Sequence, residues 1–318
     1  SSDLPWEDLH FSWEAVENTS RMINIFWNAY RFALPYMVLD DFDLKRADLD
    51  LYKSSLRPED RWILSRVNSL AEEITAEMEG YQLHRIVRSI SDFILEDLSR
   101  WYIQLVRPRT WIEQDDPDKL AAYATIYEVL TKLARLMAPF TPFIAESIYQ
   151  NLVRGLDENA RPSVHMCDWL EGDKGLIDVR LEESMDLVRE VSMAASNARQ
   201  KGGRKLRWPV SEIVIAPSKE ALDLGGLEDV LRGQTNSKKI TVLSPGEKPR
   251  MDLEMAPVHK KIGPVYKGEA KLVVEAIAAA EPFGVKADLD GSGQATLRHQ
   301  GREFAITSEM VQFRELPP

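Results

Sequence analysis

The sequence has 318 residues, 44% hydrophobic and 29% charged, with a net charge of −11. That length accommodates about two domains of roughly 100–200 residues, and the balance is that of an ordinary globular chain with enough apolar material for a core. No run approaches the ~20 apolar residues of a membrane span, no signal-peptide pattern is present, and the single cysteine, Cys167, excludes an internal disulfide framework and Cys-based zinc sites. A reduced cytoplasmic protein with no membrane partner is expected.

The first two-thirds read as helices. Phe11 to Leu34 carries Val16, Ile23, Phe26, Trp27, Tyr30 and Leu34 on a helical repeat, and Pro35 is expected to end it. After an acidic connector from Asp40 to Asp50, Pro58-Glu59-Asp60 has the composition of a helix start, with acids at the positive end of the macrodipole. The stripe Ile63, Val67, Leu70, Ile74, Met78 and Tyr81 follows, with Gly80 as a stop. A third helix is predicted from about Leu83 to Val106, its apolar side including Phe93, Ile94, Leu98, Trp101 and Leu105, closed by Pro108. Asp116-Pro117-Asp118 reads as an N-cap with proline at the first position, opening a helix with Leu120, Tyr123, Tyr127, Leu130, Leu133 and Met137 inside. Ala138-Pro-Phe-Thr-Pro142 breaks it, and Phe143 to Val153 continues as another helix. Leu181 to Gln200 is amphipathic through Met185, Val188, Ser192 and Ala195, and Gly202-Gly203 closes it.

Beyond Pro209 the pattern changes. The short β-branched runs 212–216 and 239–243 read as strands, and 295–298 with 303–307 as a hairpin around His299-Gln-Gly-Arg302. Gly268 to Ala280 reads as a helix between them. The expected fold is mainly α: an antiparallel helical bundle followed by a small α+β C-terminal domain. The expected organisation is a connecting helix and linker over 1–55, the bundle over 56–208 and the α+β module over 209–318.

A net charge of −11 argues against nucleic acid, since phosphate neutralisation needs Lys and Arg. A local basic stripe can nevertheless create its own field, and three windows lack acids. One holds Arg100, Arg107 and Arg109 among Trp101, Tyr102 and Trp111; the second holds Arg199, Lys201, Arg204, Lys205 and Arg207 beside Trp208; the third holds Lys260, Lys261 and Lys267. For any one window, solvated surface is the plainer reading. No phosphate-binding glycine loop and no His-Glu-x-x-His pattern occurs, and the five histidines are scattered. His165 and Cys167 show no activating context; a strand-like segment beside the bundle is expected there. No catalytic residue and no metal site is predicted.

Several stretches carry a family resemblance. Asp60-Arg-Trp-Ile-Leu-Ser-Arg-Val-Asn-Ser69 resembles the opening of the anticodon-binding bundle in the isoleucyl, valyl and leucyl branch of class I aminoacyl-tRNA synthetases. Phe93 to Ile103, Arg107-Pro-Arg-Thr-Trp111, Ser163-Val-His-Met-Cys-Asp-Trp169 and Arg204-Lys-Leu-Arg-Trp-Pro209 are similar to the isoleucyl members. Ala138 to Glu146 resembles the proline break shared across the branch, and Ile262-Gly-Pro-Val-Tyr266 the end of archaeal and eukaryote-like isoleucyl enzymes. The HIGH-like and KMSKS signatures are absent. The resemblance implies that they lie upstream of Ser1, in the catalytic domain of the same polypeptide, which uses ATP and Mg to attach isoleucine to its tRNA. This chain would then hold no cofactor and be inactive alone.

The resemblance also implies a partner, the anticodon stem-loop of tRNA(Ile), expected where bundle and α+β module meet. Arg199, Lys201, Arg204, Lys205 and Arg207 would contact phosphate, with Lys260 and Lys261 as further candidates. Trp208, where the family usually has a polar residue, would be a stacking platform. The alternatives are the same region of a valyl or leucyl enzyme, and a helical interaction scaffold that binds no RNA.

Overall fold

The computed structural model describes residues 12–42, 47–111, 116–218, 222–249 and 251–316. Two compact units result: Ser1–Ile213 with Leu222–Thr241, and Val214–Ala221 with Val242–Pro318. The first is helical and the second α+β, the two kinds of structure expected. No described helix is long and apolar enough to cross a membrane.

In the first unit, α1 (Trp13–Leu39) buries Met22, Phe26, Ala29, Tyr30 and Met37. It therefore runs through Pro35 rather than ending there. Proline removes one ladder bond, but Met37 lies beyond it and packs inside, and Asp40 and Phe42 donate their amides back to Tyr36 and Met37. The next helix, α2 (Pro58–Glu79), is central: Trp62, Ile63, Val67, Leu70, Ala71 and Ile74 are all buried. Its end differs slightly from a glycine stop. Gly80 has φ −82, and Tyr81, exposed, takes the left-handed turn at φ 55 while Gln82 donates back to the Glu77 carbonyl.

The third helical run has three parts: α3 (Leu83–Asp92), a π-helical stretch (Phe93–Tyr102) and α4 (Ile103–Thr110). Bonding to the fifth residue back widens each turn. The buried phase moves accordingly, from the expected Trp101 and Leu105, which are half-buried, to Tyr102, Ile103 and Val106. The run also passes Pro108, because Arg109 and Thr110 are buried beyond it. Asp116 caps α5 (Pro117–Met137), accepting from the Asp118 amide at 2.8 Å. Residues 119–126 of α5 are buried on every side, and Ala121, Ala122 and Ala124 are small enough to let neighbouring helices close on it. The proline break leads to α6 (Pro142–Tyr149), extended by a π turn to Arg154.

The segment expected to be strand-like forms a single 3₁₀ turn, Val164–Met166. Its donors go to a side chain instead of a neighbouring strand: the Glu146 carboxylate accepts from Ser163 Oγ and the Val164 amide, each at 2.9 Å. α7 (Val179–Lys201), capped by Asp178, then packs on α2. Between them the Arg189 guanidinium lies over Trp62 and Trp101, 4.7 and 5.3 Å from the ring centroids.

The expected division after residue 208 is displaced. α8 (Glu228–Thr235) lays Val230 and Leu231, with the preceding Leu227, against α7, so residues 222–241 belong with the bundle. Strands β1 (Ile213–Ile215) and β2 (Ile240–Val242) pair around this excursion. In the second unit β3 (Asp252–Pro257) is followed by α9 (His259–Tyr266), α10 (Ala270–Ala279) and α11 (Pro282–Ser292). The predicted hairpin is β4 (Gln294–His299) and β5 (Arg302–Thr307), turning at Gln300 and Gly301 with φ 50 and 75. Its register sets Ala295 opposite Ile306 and Leu297 opposite Phe304, the inward face of the core with Ile262, Val273 and Ile277. A final strand, β6 (Val311–Leu316), pairs antiparallel with β3.

A buried ion cluster ties the starts of α2 and α5 to the end of α4. Asp60 accepts from both Arg109 terminal nitrogens, each at 2.8 Å, from Tyr102 Oη at 2.7 Å and from the Arg57 amide at 2.9 Å. Burial alone would lower the Arg109 guanidinium, but its hydrogen bonds to Asp60 and that carboxylate's charge raise it further. Glu59 lies at the edge, 3.7 Å from Arg109, and desolvation pushes its carboxyl above the ordinary value. A raised folded value means that the folded chain holds this proton more tightly than the unfolded one. The contribution to stability is thus fully present below about pH 4.3 and lost as pH rises through the folded value. Glu59→Gln is therefore expected to raise the melting temperature at pH 7 by a few degrees, with the gain vanishing near pH 4. Thermal melts across that range check it; a loss at pH 7 would contradict it.

Candidate nucleic-acid interface

The second basic window is built on the end of α7. The helix buries Leu181, Met185, Val188, Ser192, Ala195 and Arg199, spaced alternately by four and three. Arg199 thus ends the inward stripe. Gly202 caps the helix, and Gly203 takes φ 67, a left-handed position that suits glycine. Gly203 donates to the Gln200 carbonyl and Arg204 to that of Arg199, which reverses the chain in a Schellman turn. Trp208 then donates to the Lys205 carbonyl at 3.0 Å.

What fixes this loop is the Arg199 guanidinium beneath it. Arg199 is only 6% exposed. Nη1 donates to the Thr235 carbonyl at 2.8 Å, and Nη2 to the carbonyls of Lys205 at 2.7 Å, Leu206 at 3.2 Å and Trp208. Asn236, left-handed at the end of α8, adds a bond from Nδ2 to the Leu206 carbonyl at 3.0 Å. With the carbonyls drawn inward, Lys201, Arg204, Lys205, Arg207 and Trp208 are all exposed, the indole by half. Among the described residues none of these four cations has a carboxylate partner. Five exposed groups on a held backbone can bind polyanion and stack a base; they are donors and an aromatic face, with nothing to make or break a bond.

This corrects the expectation for Arg199. Its terminal nitrogens are engaged with carbonyls and it is buried, so it positions the loop instead of meeting phosphate. The signal was in the sequence: Arg199 lies four residues after Ala195, the next step of the α7 stripe. Arg109 repeats the case, following the buried Tyr102 and Val106 by the same spacings. In the first window Arg100 pairs with Glu96 and Arg109 is buried, while Arg107 lies over the Phe32 ring, 5.6 Å from its centroid. Trp101 donates to Met185 Sδ at 3.1 Å, part of the bundle's packing.

Lys260 and Lys261 fall in the second unit, on α9, and are exposed. Lys261 pairs with Glu309 at 2.7 Å, a hydrogen bond that holds the Glu309 carboxyl below its ordinary value. The structure therefore brings Lys201, Arg204, Lys205, Arg207 and Trp208 together along one stretch of the first unit, while Lys260 and Lys261 stand on α9 of the second.

Comparison with known proteins bears on this loop and its bundle. A family model described as the anticodon-binding domain of tRNA ligase matches residues 60–215. The chain is 66% identical over 318 residues to an isoleucine-tRNA ligase of Methanothrix thermoacetophila, which covers 100% of the chain and 30% of that protein. It is 49% identical over 322 residues to the isoleucine-tRNA ligase of Methanosarcina mazei, with 100% and 30% covered. With that of Methanothermobacter thermautotrophicus the identity is 45% over 316 residues, 98% of the chain and 30% of the relative. The chain spans about 30% of the length of these curated relatives.

Proposed function

We infer the function from one premise: the chain belongs to the anticodon-binding domain family of tRNA ligases, through residues 60–215. It reads the anticodon of tRNA(Ile), as part of a longer isoleucine-tRNA ligase whose catalytic domain performs the ATP-dependent joining in the cytoplasm. The relatives named for isoleucine support that amino acid over valine or leucine. The observation that carries RNA binding is the 201–208 loop, where four unpaired cations and an exposed indole stand on a backbone clamped by Arg199.

The roles divide by chemistry. Lys201, Arg204, Lys205 and Arg207 neutralise phosphates, which adds affinity and salt dependence without sequence information. Trp208 offers a face on which one splayed loop base can stack. The overall charge of −11 does not oppose this, since the loop itself contains no acid.

Arg204→Ala/Lys205→Ala/Arg207→Ala is expected to weaken tRNA(Ile) binding at least tenfold and to flatten the slope of log affinity against log salt by about 2, at roughly 0.7 per single-strand phosphate contact. Salt-titrated binding measures both. Unchanged affinity and slope would remove the loop from the interface. Equal binding of tRNA(Ile) and the same tRNA with an altered anticodon would reduce the function to general RNA affinity.

A further inference from the structure

One end of the helical bundle exposes large apolar side chains among acids. The end of α1, a short 3₁₀ turn (Leu49–Tyr52), the end of α4 and the start of α5 meet there. Their inward residues hold them together. Tyr52 and Leu120 are buried, the Phe42 and Tyr123 rings meet edge to face with centroids 5.6 Å apart, and the Asp40 carboxylate joins Tyr123 Oη and Lys119 Nζ, each at 2.8 Å. Trp111 Nε1 donates to Tyr36 Oη at 3.2 Å, which fixes the indole beside α1. Leu39 follows Tyr36 by three positions, the spacing of one helix face, so Leu39 and Trp111 both neighbour that phenol.

The outward residues are apolar where polar ones would ordinarily stand. Val38 and Leu39 are 75% and 81% exposed, and Leu51 and Trp111 61% each. A single exposed apolar residue is ordinary, but four where three elements meet mark an interaction surface. The charge around them says what it fits. Between Val38 and Leu51 stand five acids and two bases, and between Trp111 and Lys119 four acids and one base. Asp41, Asp48 and Asp50 are exposed among the apolar groups. The nearby cations Lys53, Arg57 and Lys119 are already paired, with Asp50 at 3.3 Å, Asp118 at 2.6 Å and Asp40 at 2.8 Å.

We propose that this end of the bundle docks a cationic amphipathic helix of another protein, its Lys or Arg against the acids and its apolar stripe against Val38, Leu39, Leu51 and Trp111. The sign of the field opposes polyanions: RNA phosphate and anionic lipid would both meet carboxylates. A second copy in a two-fold contact would bring the same acids against themselves. A basic amphipathic helix meets both requirements, since its charges steer the encounter and its apolar face supplies the lasting contact. Trp111 is the natural anchor: its indole is the largest apolar group of the four, and its N–H already has an acceptor. The surface shares no residue with the 201–208 loop, so it goes beyond the RNA reading and does not depend on it.

The probe is a labelled peptide of about five helical turns, with leucines on one face and lysines elsewhere, titrated onto the chain by fluorescence anisotropy. Binding is expected, and added salt should weaken it. Leu39→Ser/Trp111→Ser and, separately, Val38→Ser/Leu51→Ser should each weaken it at least about fivefold. Phe143→Ser, which removes an exposed aromatic elsewhere in the same unit, should change it less than about twofold. A peptide of the same composition with its leucines scattered should bind at least about fivefold less tightly. Equal binding of the two peptides, or no effect of either double variant, would reduce the surface to net charge and overturn the proposal. It is overturned equally if the double variants weaken tRNA(Ile) binding as much as peptide binding, which would make this an RNA surface. Loss of a concentration-dependent rise in mass, read by light scattering, would assign it to a second copy instead. Absence of peptide binding in the longer ligase would assign it to the preceding part of the same polypeptide.

Discussion

Asp60→Ala is expected to destabilise the helical unit by about 3–5 kcal/mol, the range for removing one partner of a buried ion pair. Asp60 is 0% exposed, and its two carboxylate oxygens take four donors from three parts of the chain. Without it the Arg109 guanidinium, itself buried, keeps Asp118, through its carbonyl at 2.7 Å and its carboxylate at 3.0 Å, and Glu59 at 3.7 Å, while the buried Tyr102 hydroxyl loses its carboxylate acceptor. The burial that makes this expensive also holds Tyr102 in its neutral, donating form: desolvation, then the Asp60 charge, raise its hydroxyl well above the ordinary value. Replacing both ends with apolar groups, Asp60→Leu with Arg109→Met, is expected to recover most of the loss, since the pair's own desolvation cost disappears with it. Tryptophan fluorescence during urea unfolding measures this cleanly, because all seven tryptophans among the described residues lie in the first unit and none in the second. A loss under about 1 kcal/mol for Asp60→Ala would match a solvated helix-end acid and would mean the cluster is not holding the bundle.

That contrast between a helix-end acid and a buried hub shows where the sequence was legible. Pro58-Glu59-Asp60 announced the start of α2, and the stripe Ile63, Val67, Leu70 and Ile74 announced its buried face; both are local, repeating signals, and both stand. What Asp60 does depends on Tyr102 and Arg109, more than forty residues away, and no spacing rule reaches that far. The stripe of large residues on α5 predicts a one-sided helix, yet alanines fill the other faces of its first turns and bury them too. The prolines at 35 and 108 misled in a third way. Each costs its helix one bond, but buried residues beyond it, Met37 in one case and Arg109 with Thr110 in the other, hold the helix together. The strands β3 and β6 went unread because Asp252, Glu254 and Pro257 dilute the β-branched signal, while their pairing spans some sixty residues.

For the interface, the loop was legible as a run of cations without acids, but the run said nothing about phase. A charge count treats Arg199 and Arg204 alike. Helical periodicity does not: carrying the α7 stripe one step past Ala195 puts Arg199 inside. The same step on α4 puts Arg109 inside and leaves Arg107 outside, over Phe32. Combining the two kinds of signal separates arginines that build the surface from arginines that support it.

The consequence is a sharp expectation for Arg199→Lys, which preserves charge and so isolates geometry. A guanidinium reaches four carbonyls because its two terminal nitrogens form a planar fork; an ammonium is a point charge with three donors on a flexible stem. Lysine at this position cannot satisfy Thr235, Lys205, Leu206 and Trp208 together, so carbonyls now drawn inward are left without donors. The stability loss is expected to be about 2–4 kcal/mol, from one or two unsatisfied acceptors at roughly 1–3 kcal/mol each. The functional effect should exceed what the unchanged charge predicts. Once the loop backbone is released, Arg204, Lys205, Arg207 and Trp208 must be ordered by the RNA itself, at about 0.5–1.5 kcal/mol per immobilised side chain, which is roughly a thirtyfold or greater loss of affinity. Hydrogen exchange of the Arg204 and Trp208 amides should rise in parallel, since both close turns that the clamp maintains. A directly phosphate-bound Arg199 would behave differently: lysine would keep most of the affinity and the salt slope, and exchange in the loop would not change. Arg199→Lys binding tRNA(Ile) as the unaltered chain does would therefore return Arg199 to the surface and leave the loop without its proposed support.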